Sequence, residues 1–226
     1  MFTGDFMKVL EMFNINTNHK SLYEEAFTHT SYANEHNTVS YERLEYLGDA
    51  VLELVMSEYL YKNTEYEEGV MTKLRSHYVC ENALYTYSMR LGLNEFLLLG
   101  HGEEVTGGRT RKTIVADIFE AFIGALFLDQ GIVFVKNFIY KNVIPLIENK
   151  EVNFFSDYKS ILQEYVQTDR RSLDYEVINE EGPSHNKVFT VVVKIDGIVY
   201  GKGVAHSKKE AEQEAAHDAL KKAQNV

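Results

Sequence analysis

The stretch that decides the fold is the run at residues 42–52, which reads Glu-Arg-Leu-Glu-Tyr-Leu-Gly-Asp-Ala-Val-Leu. Its apolar residues recur at a spacing of three and four, which predicts a helix over about 40–62. Glu42, Glu45 and Asp49 fall at i, i+3 and i+7, so one helix face carries three carboxylates. Like charges placed in this way repel each other. A hard cation bound by oxygen ligands would relieve the repulsion.

A second apolar run, residues 114–124, carries Asp117 and Glu120 at i and i+3. Two such helices could face each other and build one site from all five carboxylates. Mg²⁺ or Mn²⁺ suits a shell of carboxylates and water, and no cysteine or histidine spacing suggests zinc. The alternative is that these acids are solvated residues of amphipathic helices. Apolar neighbours on both sides of the acids favour the metal site.

Composition limits the class of protein. The chain has 226 residues, of which 45 % are hydrophobic, and this predicts a globular protein of one large or two modest domains. The single cysteine, Cys80, excludes an internal disulfide and fits a reducing compartment. We find neither an apolar run of membrane-spanning length nor the core of a signal peptide at the amino terminus. We therefore expect a cytoplasmic protein with no membrane partner.

The charge balance argues against a nucleic-acid partner when it is taken alone. The formal net charge is −11. Residues 1–150 contain 13 basic and 21 acidic side chains, and residues 151–226 contain 10 and 13. Any surface for nucleic acid must therefore be a local basic patch with the acids placed elsewhere.

The first part of the chain, residues 1–149, is predicted to be an all-α domain, because its apolar spacing is helical throughout. The helices are expected at about 3–13, 21–27, 40–62, 68–91, 111–128 and 131–148. The glycine-rich segment from Gly100 to Arg109 lacks the spacing of a phosphate-binding loop and is interpreted as a turn.

The second part, residues 156–226, is predicted to be an α+β domain after a linker at about 150–155. A helix at 157–168 is followed by three strands, of which the last two are joined by the two-residue turn Asp196-Gly197. Ser207 and Glu210 form a capping box that begins a last helix. The predicted fold is therefore multidomain, with an all-α domain followed by an α-β-β-β-α domain.

Several blocks in this order resemble ribonuclease III. Residues 42–49 are similar to the signature of that family, residues 28–32 (Thr-His-Thr-Ser-Tyr) to its early motif, and residues 116–121 to its second acidic block. Glu68-Gly69 precedes the position of its middle helix. The carboxy-terminal segment resembles a double-stranded RNA-binding domain. The resemblance to simple bacterial-type ribonuclease III runs from about Leu22 to the end, and the first twenty residues show no match.

The resemblance implies an Mg²⁺-dependent endoribonuclease, with Mn²⁺ as a possible substitute and no small-molecule cofactor. Such an enzyme cuts double-stranded RNA, leaves 5′-phosphate and 3′-hydroxyl ends with short 3′ overhangs, and processes ribosomal RNA precursors and other structured RNAs. The resemblance gives catalytic or metal-binding roles to the following acids: Glu45, Asp117 and Glu120 as metal ligands, Asp49 as a further essential acid that helps to place the metal, and Glu42 and Glu68 as outer carboxylates. For Glu68, an exposed acid at a helix start remains the alternative.

Staggered cuts on two strands imply two active sites and hence a homodimer. Tyr46 occupies the position where the family inserts an aromatic side chain into its partner subunit. A role in the core of its own subunit is the alternative for Tyr46.

The resemblance also predicts the residues that contact RNA. They are Ser160, Gln163 and Glu164 on the first helix of the small domain, His185 in the loop after its first strand, Lys208 and Lys209 at the start of its last helix, and the basic cluster Arg109, Arg111 and Lys112. The alternative for each is an ordinary solvated side chain. Duplex RNA exposes its 2′-hydroxyls in a shallow minor groove. Polar side chains can therefore bind these hydroxyls, and basic side chains can bind the phosphates.

Two rival functions remain open. One is a regulatory or structural protein that binds double-stranded RNA without cutting it. The presence of all four of Glu45, Asp49, Asp117 and Glu120 favours the nuclease. The other is a metal-dependent hydrolase of small phosphates, which leaves the α-β-β-β-α segment unexplained.

Overall fold

The protein is described by a computed structural model, which covers residues 7–148, 158–168, 171–183 and 187–222. The chain forms two compact units. The first contains residues 7–56 and 78–148, and the second contains residues 57–77 together with the described residues after 157. The sequence did not indicate that residues 57–77 group with the carboxy-terminal part. The expected linker at 150–155 lies outside the described residues, and the domain limits stay a prediction.

The helices and strands follow the predicted order, helical first and mixed afterwards. The helices are α1 (Met7–Met12), α2 (Lys20–Ala26), α3 (Thr30–His36), α4 (Glu42–Asn63), α5 (Glu68–Tyr78), α6 (Glu81–Arg90), α7 (His101–Val105), α8 (Lys112–Asn142), α9 (Ile144–Glu148), α10 (Tyr158–Thr168) and α11 (Lys208–Lys222). The strands are β1 (Leu173–Glu181), β2 (Val188–Ile195) and β3 (Ile198–Ala205).

Helix α8 forms the centre of the first unit. Ile118, Phe119 and Phe122 are fully buried, and α2 and α6 pack against this helix. By length and composition the stretch Lys112–Glu148 could cross a membrane, and its most apolar 18-residue window has a mean hydropathy of 1.8. The expectation that the chain has no such apolar run was therefore wrong. Half of the most apolar window is buried inside the structure, and the packing of a core helix accounts for its composition.

A buried carboxylate attaches the segment before α2 to α8. Asp129 accepts hydrogen bonds from the side chains of Thr17 (2.8 Å), Tyr23 (2.7 Å) and Gln130 (2.7 Å), and His19 Nδ1 lies 2.9 Å from it. These bonds lower the pKa of Asp129 to about 2, although its burial acts in the opposite direction. This arrangement was not predicted, because Thr17, His19 and Tyr23 lie more than a hundred positions from Asp129.

The second unit contains an antiparallel sheet in the order β1-β2-β3, and α11 packs against β2 and β3. The predicted hairpin turn is confirmed, since Asp196 and Gly197 both have positive φ, at 50° and 79°. Ser207 caps α11, and its Oγ accepts a hydrogen bond from the backbone N–H of Glu210 at 3.2 Å.

The structure differs from the prediction at three places. The helix expected at 68–91 is interrupted, because Cys80 is extended (φ −72°, ψ 158°) and begins α6 as its N-cap residue. Helix α3 was not predicted, and the expected turn at Gly100–Arg109 contains the short helix α7. Inside α8, Gly131 leaves the helical region (φ 77°, ψ 173°), which agrees with the two helices predicted on either side of it.

Candidate active site

Helices α4 and α8 cross at two glycines whose backbones touch. A Cβ atom added at Gly48 would lie 1.8 Å from the carbonyl oxygen of Glu120, and one added at Gly124 would lie 2.3 Å from that of Leu44. Only glycine permits helices to approach so closely, although it weakens each helix by about 1 kcal/mol relative to alanine. This crossing places Glu45 of α4 beside two acids of α8.

The carboxylates of Glu45, Asp117 and Glu120 converge at the crossing. Each offers an oxygen within 4.8 Å of the oxygens of the other two, and all three side chains are partly buried. Burial and the neighbouring acids raise the pKa of Glu45 to about 7 and that of Glu120 to about 8. Burial also raises the pKa of Asp117.

This cluster fits a hard divalent cation. Among the described residues, no basic side chain counteracts the raised pKa values of Glu45 and Glu120. Oxygen ligands alone suit Mg²⁺ or Mn²⁺, and a cation would offset the mutual repulsion of the acids. The structure thus brings together three of the four predicted metal ligands.

The fourth predicted ligand, Asp49, and the outer acid Glu42 are exposed at the edge of the cluster. The charge of Asp49 raises the pKa of Glu120, and those of Glu42 and Asp49 raise that of Glu45. Glu42 accepts a hydrogen bond from Ser40 Oγ at 2.8 Å. Glu68 begins α5 in the second unit and accepts a hydrogen bond from Thr72 at 3.3 Å. The roles of these acids stay predictions.

Tyr46 is exposed on α4, with 83 % of its surface accessible. Leu54, eight positions later on the same helix, is 58 % accessible. A core role for Tyr46 within its own chain therefore has no support, and α4 carries two exposed apolar side chains here.

The predicted basic cluster before α8 is engaged within its own loop. Arg109 donates to both carboxylate oxygens of Glu104 (2.6 and 3.1 Å) and to two backbone carbonyls. Arg111 pairs with Glu103, and Lys112 donates to Asn82 Oδ1 at 2.5 Å. The three cations are thus engaged within the protein, which the sequence did not indicate, and their contact with phosphate stays a prediction.

The predicted RNA contacts of the second unit lie on its surface. Gln163 and Glu164 are exposed on α10, Ser160 is partly buried there, and Glu164 pairs with Lys73 at 3.3 Å. His185 lies outside the described residues.

Lys208 and Lys209 are exposed at the start of α11. Lys208 Nζ is 2.9 Å from a carboxylate oxygen of Glu180 and 5.5 Å from the ring centre of Phe189. This candidate phosphate contact is therefore already paired with an acid of the same unit, which the sequence did not indicate.

Sequence reasoning also missed Tyr41, which is buried beside the cluster. Its hydroxyl donates a hydrogen bond to Asp117 Oδ2 at 3.2 Å. No signal in a single sequence distinguishes this tyrosine from the other aromatic residues. A signal for Gly48 was available, because a glycine in the middle of an apolar helix requires an explanation such as close packing.

Comparisons with known proteins agree with this arrangement. Residues 19–147 match the family described as Ribonuclease-III-like, and residues 158–223 match the double-stranded RNA binding motif. A helical domain with a carboxylate cluster, joined to such a motif, defines the metal-dependent endoribonucleases that act on double-stranded RNA. The chain belongs to the ribonuclease III family, and the predicted family and fold class are confirmed.

The relatives cover nearly the whole chain. Ribonuclease 3 of Bacillus licheniformis is 48 % identical over 224 residues, which span 97 % of this chain and 90 % of the relative. Ribonuclease 3 of Streptococcus gordonii is 51 % identical over 207 residues, or 89 % of each chain. Among solved structures, the nuclease domain of ribonuclease III from Campylobacter jejuni is 36 % identical, with a TM-score of 0.57. That alignment covers 62 % of this chain and 99 % of the domain, whose description concerns a flexible region involved in dimer formation.

Proposed function

We propose that this chain is an Mg²⁺-dependent endoribonuclease that hydrolyses phosphodiester bonds in double-stranded RNA. The observation that carries the proposal is the convergence of Glu45, Asp117 and Glu120 with no basic side chain of the described residues to neutralise them. A chain that only bound RNA would gain nothing from holding repelling acids together. The expected products have 5′-phosphate and 3′-hydroxyl ends with short 3′ overhangs.

The acids at the helix crossing have different proposed roles. Glu45, Asp117 and Glu120 would hold the cation, and Asp49, at the edge, would help to orient its water ligands. A bound divalent cation would ease deprotonation of the attacking water and neutralise charge on the phosphate and the leaving oxygen. Glu120, whose pKa is raised to about 8, can hold a proton at neutral pH in the metal-free protein. It gives up that proton when it binds a cation.

The protein would act as a homodimer, because cuts on both strands need two sites. The exposed Tyr46 and Leu54 provide an apolar surface for a second copy. The second unit would hold the duplex through α10 and the start of α11. Ribosomal RNA precursors and other structured RNAs in the cytoplasm are the proposed substrates.

The experiment that tests this function compares the wild-type protein with Glu120→Gln on a long, fully paired RNA, with and without Mg²⁺. The variant loses a metal ligand but little volume. We expect Mg²⁺-dependent conversion to short duplexes by the wild type and a rate lower by roughly a thousandfold or more in the variant. RNA binding, measured in Ca²⁺ by gel shift, should change little.

Glu53→Gln serves as the matched control, since it makes the same substitution on α4 outside the carboxylate cluster. It should cleave at the wild-type rate. A duplex that is shifted but never cut by the wild type would exclude the nuclease and favour the RNA-binding alternative. Loss of RNA binding in Glu120→Gln would contradict the proposed separation of roles.

A further inference from the structure

The backbone of Tyr41 is fixed on both sides at the start of α4. Its carbonyl oxygen accepts hydrogen bonds from the N–H groups of Leu44 and Glu45, both at 2.9 Å, and its own N–H donates to the carbonyl of Thr28 at 2.9 Å. Only 3 % of its surface is accessible. The Tyr41 side chain therefore has little freedom to move toward another hydrogen-bond acceptor.

The segment 28–32 supports Tyr41 from the opposite side. Thr28 accepts the hydrogen bond from Tyr41, and the ring centre of His29 lies 5.8 Å from that of Tyr41. The N–H of His29 donates to the carbonyl of Leu98 at 3.1 Å, which ties the segment to the core. Thus the block that resembles the early motif of the family holds Tyr41, and none of the roles stated so far explains that block.

The Tyr41 hydroxyl is directed at Asp117. It donates to Oδ2 at 3.2 Å, and a carboxylate held at one oxygen keeps its other oxygen available to a cation. Without this bond, Asp117 could rotate away from Glu45 and Glu120, whose charges repel it. A tyrosine hydroxyl is protonated at neutral pH, so it is available as a donor to the carboxylate.

We propose that Tyr41 is a positioning residue, which orients Asp117 for cation binding and is itself held in place by residues 28 and 29. It does not contact the RNA or the reacting atoms in this proposal. The inference rests on the proposed metal site. It adds a residue that acts through a ligand rather than as one.

The test measures Mn²⁺ binding to the full chain by electron paramagnetic resonance, in the absence of RNA, for the wild type, Tyr41→Phe and Tyr23→Phe. Tyr41→Phe keeps the buried ring and removes only the hydroxyl. Tyr23→Phe is the matched control, because it removes another buried hydroxyl that donates to a carboxylate, Asp129, outside the metal cluster. Thermal melting of both variants shows whether each remains folded.

We expect Tyr41→Phe to bind Mn²⁺ about tenfold more weakly, while Tyr23→Phe stays within about twofold of the wild type. In cleavage, Tyr41→Phe should need about tenfold more Mg²⁺ for its half-maximal rate, with a maximal rate within about threefold of the wild type. A purely structural tyrosine would not change metal affinity separately from stability.

Unchanged Mn²⁺ affinity in Tyr41→Phe, or equal weakening in both variants, would overturn the inference and leave the metal site intact. A wild-type protein that binds no Mn²⁺ would overturn the proposed function as well. The two failures are therefore distinguishable by the wild-type measurement alone.

Discussion

The acid cluster of the first unit and two acids of the second unit lie in opposite surroundings. In the first unit, Glu45 and Glu120 face other acids, and their pKa values rise to about 7 and about 8. In the second unit, Glu180 lies beside Lys208 and Asp196 beside Arg171, and these cations lower the pKa of each acid. The chain thus neutralises these two acids of the second unit with its own cations and leaves the acid cluster of the first unit to protons or a bound cation.

Both units nevertheless use the same device to bring elements together. In the first unit, the backbones of α4 and α8 touch at Gly48. In the second, a Cβ at Gly203 of β3 would lie 2.1 Å from the carbonyl oxygen of Ala211 of α11. Close packing of backbones therefore positions the acid cluster in one unit and the start of α11, with Lys208 and Lys209, in the other. The comparison predicts that each contact can be broken without affecting the other unit.

The largest effect is expected from Gly48→Ala. Alanine alone would favour the helix by about 1 kcal/mol, but its methyl group collides with the backbone at Glu120 and must push α4 away from α8. We expect a destabilisation of about 3 kcal/mol, loss of Mn²⁺ binding and loss of cleavage. Chemical denaturation and electron paramagnetic resonance measure these changes, and RNA binding by the second unit should persist.

Two other glycines provide the controls for this prediction. Gly102→Ala meets no atom within 4 Å, so it should change stability by less than about 0.5 kcal/mol. Gly203→Ala should weaken RNA binding and leave Mn²⁺ binding intact. Normal cleavage by Gly48→Ala, or loss of both activities in each variant, would show that the two contacts do not act separately.

The acid cluster could be predicted from the sequence because acidic side chains are seldom found in apolar surroundings. Glu45 and Asp117 lie among apolar residues where a solvated acid would be out of place, and the spacing of each pair put them on a helix face. The all-α and α-β-β-β-α domains could also be predicted, because the spacing of apolar residues is a local property of the sequence. The hairpin turn could be predicted because it depends on two adjacent residues, Asp196 and Gly197.

Features that depend on distant parts of the chain could not be predicted. Tyr41 and Asp117 are 76 positions apart, and nothing local to either residue shows that they meet. The pairing of Lys208 with Glu180 depends on the approach of α11 to β1. The break at Cys80 was missed because apolar spacing continues across it, although one extended residue ends the helix.

The next effect is a dependence of metal affinity on pH. A cation binds the ionised carboxylates, so protons compete with it near the raised pKa values of Glu45 and Glu120. Affinity for Mn²⁺ should rise between about pH 6 and pH 9, by up to about tenfold per pH unit for each proton displaced. Calorimetric titration at several pH values in buffers of different ionisation enthalpy measures both the affinity and the number of protons released.

The same pKa shifts affect stability, with opposite signs for the acid cluster and for the acids beside cations in the second unit. Glu45 and Glu120 hold protons more tightly in the folded chain, so their contribution to stability falls as pH rises from about 4.5 to about 8. The acids beside cations in the second unit contribute stability that is lost as pH falls below about 4. In chelator, Glu120→Gln should therefore melt at a higher temperature than the wild type at pH 9, whereas Glu53→Gln should not. No difference between these variants would contradict the repulsion at the cluster.

The smallest effect is expected from Glu180→Gln in the second unit. Glu180 pairs with Lys208 at 2.9 Å and with Lys187 at 3.2 Å, so it would compete with RNA phosphate if these lysines bind RNA. Its removal should tighten binding of duplex RNA by about threefold, and it should make the dependence of affinity on salt steeper. Fluorescence anisotropy at several salt concentrations measures both quantities.

Glu181→Gln is the matched control, because it removes the same charge one position later, where the carboxylate accepts a hydrogen bond from Asn179 at 2.7 Å. An equal gain in both variants would mean that net charge alone sets the affinity. Weaker binding by Glu180→Gln would mean that Glu180 holds Lys208 ready for phosphate instead of competing with it. Only a gain specific to Glu180 supports the view that Glu180 withholds Lys208 and Lys187 from RNA phosphate.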